Sequence, residues 1–124
     1  MNINFLGKHI LVEFYSCDPY VLSDHQNIES YMIQAAHLCQ AQIVQSCFHK
    51  FNPWGVSGVV IIKESHLAIH TWPEYNYAAV DLFTCGSEVR PDEGIKYLGH
   101  VLKAEDWELR EIRRGIKDRI TQKI

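Results

Sequence analysis

The 124-residue chain has no excess of charge, no long apolar run and no closely spaced cysteine pair. Each absence removes a class of function. A formal net charge of −3 argues against a nucleic-acid partner on global electrostatics. Six basic residues do gather between Arg110 and Lys123, but Glu111 and Asp118 interrupt them and no aromatic is interleaved, so this tail reads as solvated surface. No apolar run approaches the roughly 18 residues that span a bilayer, so no membrane association is expected. The N-terminus also lacks the charged-then-apolar layout of a signal peptide. Cys17, Cys39, Cys47 and Cys85 contain no CxxC spacing, which argues against a zinc knuckle or a dithiol redox centre. Four free thiols without a leader fit a reducing cytoplasm, and three of them suit small core positions. Repeats, linkers and low-complexity segments are missing too.

What is present is an ordinary globular composition, 47% apolar and 22% charged, long enough for one domain spanning 1–124 with a real core. Residues 8–16 alternate as a first strand, with Ile10, Val12 and Phe14 on one face and His9, Leu11, Glu13 and Tyr15 on the other. Asp18-Pro19 breaks it. Over 23–41, Ile28, Tyr31, Met32, Ala35, Leu38 and Cys39 recur at helical spacing, with Ser23 or Asp24 available as N-cap. Strands follow over 42–51, 56–63, 66–71 and 77–84. Pro91 sits at a helix N1 position with Asp92 and Glu93 in the first turn, and Ile95, Leu98, Val101 and Leu102 give that helix its apolar side. A last strand covers 107–112. The order β-α-β-β-β-β-α-β, with strands joined by turns, predicts an α+β two-layer sandwich: an antiparallel sheet with two helices on one face. The other face is then solvated or paired with a second copy.

The chemistry concentrates between Lys63 and Gly86, in KESHLAIHTWPEYNYAAVDLFTCG. Ser65 falls at a strand-to-strand turn, where backbone can be bent out of its comfortable geometry. His70 lies five residues on, so in one regular strand the two side chains point to opposite faces. If they cooperate, either the strand is interrupted or His70 of one copy serves Ser65 of another, and a two-fold dimer would then hold two composite sites. His66 and His70 share a strand face but have no identifiable third ligand, a weak metal signal. No GxSxG elbow surrounds Ser65, and no protease signature surrounds Cys85. A small β-rich binding domain with satisfied histidines stays open on these residues alone.

The run ESHLAIHTWPEYNYAAVDLFTCG resembles the short prokaryotic form of the self-processing, pyruvoyl-dependent S-adenosylmethionine decarboxylases. The likeness extends upstream through GKHILVEFYSCD and QIVQSCFHKFNPWGVSGVVIIKES and covers roughly residues 6–103. It implies that the Ser65 hydroxyl attacks the carbonyl of Glu64, cutting the chain between Glu64 and Ser65. A pyruvoyl group is left at position 65 as the cofactor, with no metal. His70 matches the family's base and Ser57 its assisting serine, with Gly55 and Gly58 flanking. The pyruvoyl group forms a Schiff base with the substrate amine and draws in the electrons released with carbon dioxide. Cys85 matches the proton donor to the α-carbon.

Phe51 and Trp72 match the aromatics that hold the adenine, and Glu74 the carboxylate that accepts the ribose hydroxyls. The resemblance further implies a homodimer of cleaved protomers. Ser65 and Cys85 would come from one copy, and Phe51, Ser57, His70 and Glu74 from the other. The expected activity supplies the aminopropyl donor for spermidine synthesis. The alternatives are a pyruvoyl-dependent arginine or ornithine decarboxylase on the same fold, and a homologue that never cleaves. Glu13 is a candidate acidic contact for a stimulating polyamine.

Overall fold

The computed structural model describes residues 4–63, 65–85 and 89–121. Six strands form one sheet: β1 (Phe5–Tyr15), β2 (Ile43–Lys50), β3 (Val56–Ile62), β4 (Ser65–Trp72), β5 (Tyr77–Cys85) and β6 (Asp106–Ile116). Their spatial order is β2-β3-β4-β5-β1-β6, and every neighbouring pair is antiparallel. β2 through β5 therefore run as a meander, and β1 is received between β5 and the last strand.

Strand alternation decides the layers. Ile10, Val12 and Phe14 of β1, Val56, Val60 and Ile62 of β3, Leu67 and Ile69 of β4, and Ala78, Val80 and Leu82 of β5 are all buried. They share one face, against which the helices pack. The intervening residues of each strand share the other face, which no helix among the described residues covers. This is the α+β sandwich that the sequence pattern predicts.

The helical layer differs in one detail. The spacing predicts one helix over 23–41 after a break at Asp18-Pro19. The chain forms a short helix α1 (Pro19–Ser23) and then α2 (His25–Leu38). Asp18 caps α1, its Oδ1 accepting the Tyr20 N–H at 2.8 Å, and Pro19 is its first residue, a helix starter rather than a breaker. Asp24 then caps α2, accepting the Asn27 N–H at 3.1 Å. Ile28, Met32, Ala35 and Ala36 form the buried stripe of α2. Helix α3 (Pro91–Val101) buries Gly94, Ile95, Leu98 and Gly99. It lies close to α2: a Cβ on Gly94 would stand 2.3 Å from Cys39 Sγ and 2.8 Å from Ala35 O. Cys17 and Cys39 are buried, whereas Cys47 is exposed on β2. Only two of the three cysteines suited to the core are therefore in it.

The last strand is longer than predicted. β6 runs to Ile116 and pairs with β1 as far as Ile116↔Phe5, through residues that the composition reads as a solvated tail. An edge strand needs only backbone pairing on one side. Charged side chains there also discourage further strand addition.

Candidate active site

Two groups of residues stand at opposite ends of the sheet. At one end, Ile62 pairs with Ser65 in the β3–β4 ladder, so β4 begins at Ser65. Glu64 lies outside the described residues. Ser65 Oγ accepts the backbone N–H of Cys85 at 3.2 Å, which ties the first residue of β4 to the last of β5. Ser65 has the parity of the helix-covered face, with Leu67, Ile69 and Thr71, while Cys85 has the parity of the open face, with Asp81 and Phe83. They meet because both are strand ends.

At the other end, Ser57 and His70 are cross-strand partners on the open face, and Ser57 Oγ lies 2.8 Å from His70 Nδ1. Trp72 follows on the same face, its ring 6.3 Å from His70 and stacked on Tyr77 at 5.4 Å. Tyr77 is stacked in turn on Tyr15 and donates its hydroxyl to Glu13. Burial, then the hydrogen bond to Glu13, raises the Tyr77 pKa above its ordinary value, so the phenol stays a donor. Glu74 lies in the 3-10 turn Pro73–Tyr75 and is exposed. Phe51 is 47% exposed, its ring 4.7 Å from His49. The loop that carries it closes through the Phe51 N–H to Gly55 O at 2.9 Å. Gly55 has φ +95°, and a Cβ there would stand 2.7 Å from Thr71 O, so glycine is required. Buried Thr71 locks this end: its Oγ1 donates to Leu22 O at 2.9 Å and accepts the Val56 N–H at 2.8 Å.

Ser65 and His70 thus lie on one uninterrupted strand, about 17 Å apart along it at the usual rise, and their side chains have opposite parity. They do not meet within one copy.

Between the two ends lies a cluster that the sequence reading does not assign. Asp81 Oδ2 is 2.6 Å from His66 Nε2 and 2.9 Å from His9 Nε2. Arg114 Nη1 is 3.4 Å from His9 Nδ1. The three donor groups, two imidazoles and a carboxylate, lie close enough to suit a metal ion. Arg114 opposes one, because a guanidinium only donates. It makes His9 Nδ1 the acceptor and leaves the proton on Nε2, the atom a metal would need. The available signal was the spacing Asp81, Phe83, Cys85, which sets a carboxylate on the face of Cys85 in an otherwise apolar strand.

A family model described as S-adenosylmethionine decarboxylase matches residues 8–115. A relative from Caldanaerobacter subterraneus subsp. tengcongensis, named S-adenosylmethionine decarboxylase proenzyme, is 54% identical over 114 residues, 92% of this chain and 92% of its own. One of the same name from Thermotoga petrophila is 55% identical over 115 residues, 93% of this chain and 88% of its own. The crystal structure of the adenosylmethionine decarboxylase from Aquifex aeolicus matches with a TM-score of 0.84 at 28% identity, covering 98% of this chain and 100% of that one. Fold and matches together define the class, an α+β decarboxylase. The chain belongs to the S-adenosylmethionine decarboxylase family.

Proposed function

We propose that the chain cuts itself between Glu64 and Ser65, and that the enzyme so made decarboxylates S-adenosylmethionine at a pyruvoyl group derived from Ser65. The observation that carries this reading is the contact between Ser65 Oγ and the Cys85 amide. It ties the nucleophile of the cleavage to the backbone of the residue whose thiol serves the later reaction.

In the cleavage, Ser65 Oγ attacks the Glu64 carbonyl and the peptide becomes an ester. Loss of the Ser65 α-proton expels the Glu64 carboxylate, which becomes the end of chain 1–64. Water then replaces the nitrogen at residue 65, releasing ammonia and leaving a ketone. His70 is the base for the proton, and Ser57, 2.8 Å from its Nδ1, orients the ring.

The residues present fit such a ketone. The Cys85 N–H already donates to an oxygen of residue 65 and is available to the keto oxygen. Once formed, that group supplies an electron sink for the pair released with carbon dioxide. The remaining work falls to side chains. Cys85 gives a proton to the substrate's α-carbon. Phe51 and Trp72 take the adenine between their rings, and Glu74 accepts the ribose hydroxyls.

Pairing of two copies by their open faces sets His70 and its neighbours over the strand end at which Ser65 begins β4 in the other copy. A two-fold axis between the sheets and across the strands puts the Ser65 end of one over the His70 end of the other. Exposed Ile61 and Ile112, with Val59, Leu11 and Phe83, give the open face the apolar character that such a contact buries. The product serves spermidine synthesis, and the free thiols fit the cytoplasm. Among the described residues no helix is long and apolar enough to cross a membrane.

Intact mass followed by a carbon dioxide release assay with S-adenosylmethionine, arginine and ornithine tests this reading. Two chains and activity on S-adenosylmethionine are expected. A single full-length species, or activity on arginine or ornithine alone, overturns it.

A further inference from the structure

We propose that Asp81, braced by His9, grips His66 and so pins the reactive terminus beside Cys85 after the chain has been cut. The inference rests on the processing read above. Cleavage before Ser65 makes that residue the start of a chain, and the first residues of a chain fray unless they are tied down. Its ladder partner, Ile62, is then on a different polypeptide. The next side chain along from the new terminus is that of His66.

His66 is held in two ways. Its Nε2 is 2.6 Å from Asp81 Oδ2, and its ring stacks on Phe83 at 6.1 Å and 19°. Asp81, Phe83 and Cys85 alternate along one face of β5, so the grip fastens the start of β4 to the strand that carries the proton donor. Asp81 is itself fixed from β1, where His9 Nε2 is 2.9 Å from the same oxygen. His9 packs edge-on against Phe83 at 5.3 Å. Arg114 closes the far side, 3.4 Å from His9 Nδ1 and with its guanidinium 5.4 Å over the Phe83 ring. The cluster spans four adjacent strands, β4, β5, β1 and β6.

None of these side chains touches the reacting atoms in this account; they are positioning residues. Their effect falls on turnover, because a reacting group displaced by about 1 Å loses on the order of a hundredfold in rate. It falls little on the cleavage itself, because the intact peptide bond still anchors Ser65 at that stage.

Wild type, Asp81→Asn, His66→Gln and the double variant are compared for self-cleavage rate, kcat and KM, with metal content measured on each. His66 is 38% exposed on its side chain, so His66→Gln keeps the test open if Asp81→Asn does not fold. All are expected to yield two chains at wild-type rate. Each single variant should lose about tenfold or more in kcat with KM within about threefold, and the double should lose no more than the worse single. Wild-type kcat in a folded single variant overturns the inference, as do losses that multiply, cleavage that falls in step with kcat, or one tightly bound metal ion in wild type that Asp81→Asn lacks. A wild-type chain that stays uncut overturns the processing reading and this inference together. A cut, active wild type matched by its variants overturns this inference alone.

Discussion

Ser57 Oγ stands 2.8 Å from His70 Nδ1, and the strand that presents His70 begins at Ser65, about 17 Å away along its length. A ring so fixed cannot reach the serine of its own chain. Replacing either member should therefore impair cleavage without unfolding the protein, since Ser57 is half-buried and His70 exposed. Ser57→Ala and His70→Ala are expected to slow self-cleavage by about a hundredfold or more, the usual worth of a positioned base. The check is the full-length band on a denaturing gel over time.

Trp72 and Glu74 sit beside that pair, on the open face and in the adjoining turn. Glu74→Gln should raise KM for S-adenosylmethionine by about tenfold or more, as expected for losing hydrogen bonds to a charged acceptor, with a smaller effect on kcat. Trp72→Ala should act in the same direction. Steady-state kinetics on the processed enzyme decide, and an unchanged KM in both would remove them from the substrate site.

Thr71 holds the same end of the sheet from the helix side. Thr71→Val keeps the shape but removes the acceptor of the Val56 N–H and the donor to Leu22 O. The expected loss is about 1–3 kcal/mol for a buried group left unpaired, read by denaturant unfolding of the uncut Ser65→Ala background.

Burial raises the thiols of Cys17 and Cys39 to about 11. At pH 8 both stay protonated and enclosed, so alkylation of the native protein should spare them and label exposed Cys47. Both should become reactive on unfolding. Peptide mapping after brief iodoacetamide treatment checks this.

The sheet's two faces are legible in the sequence because alternation is a local signal. Ile10, Val12 and Phe14 against His9, Leu11 and Glu13 read directly as inside and outside, and the odd spacing of Ser65 and His70 gives their opposed parity. β6 is illegible for the converse reason, since an edge strand rich in arginine and glutamate has no buried face to impose a pattern. Asp81, His9 and His66 escape for a different one. They lie 72 and 15 residues apart in sequence, and only the register of β1 on β5 and of β5 on β4 brings them together. The one-turn helix at Pro19 is missed because proline after aspartate signals a break and a helix start equally.

Co-expression of Ser65→Ala with His70→Ala tests most directly whether the two ends of the sheet belong to one shared site. Each variant alone is expected to be inactive. Random pairing makes half of the dimers mixed, each with one intact site of two, so about a quarter of wild-type activity should return. Activity no higher than that of the separate variants would contradict the account.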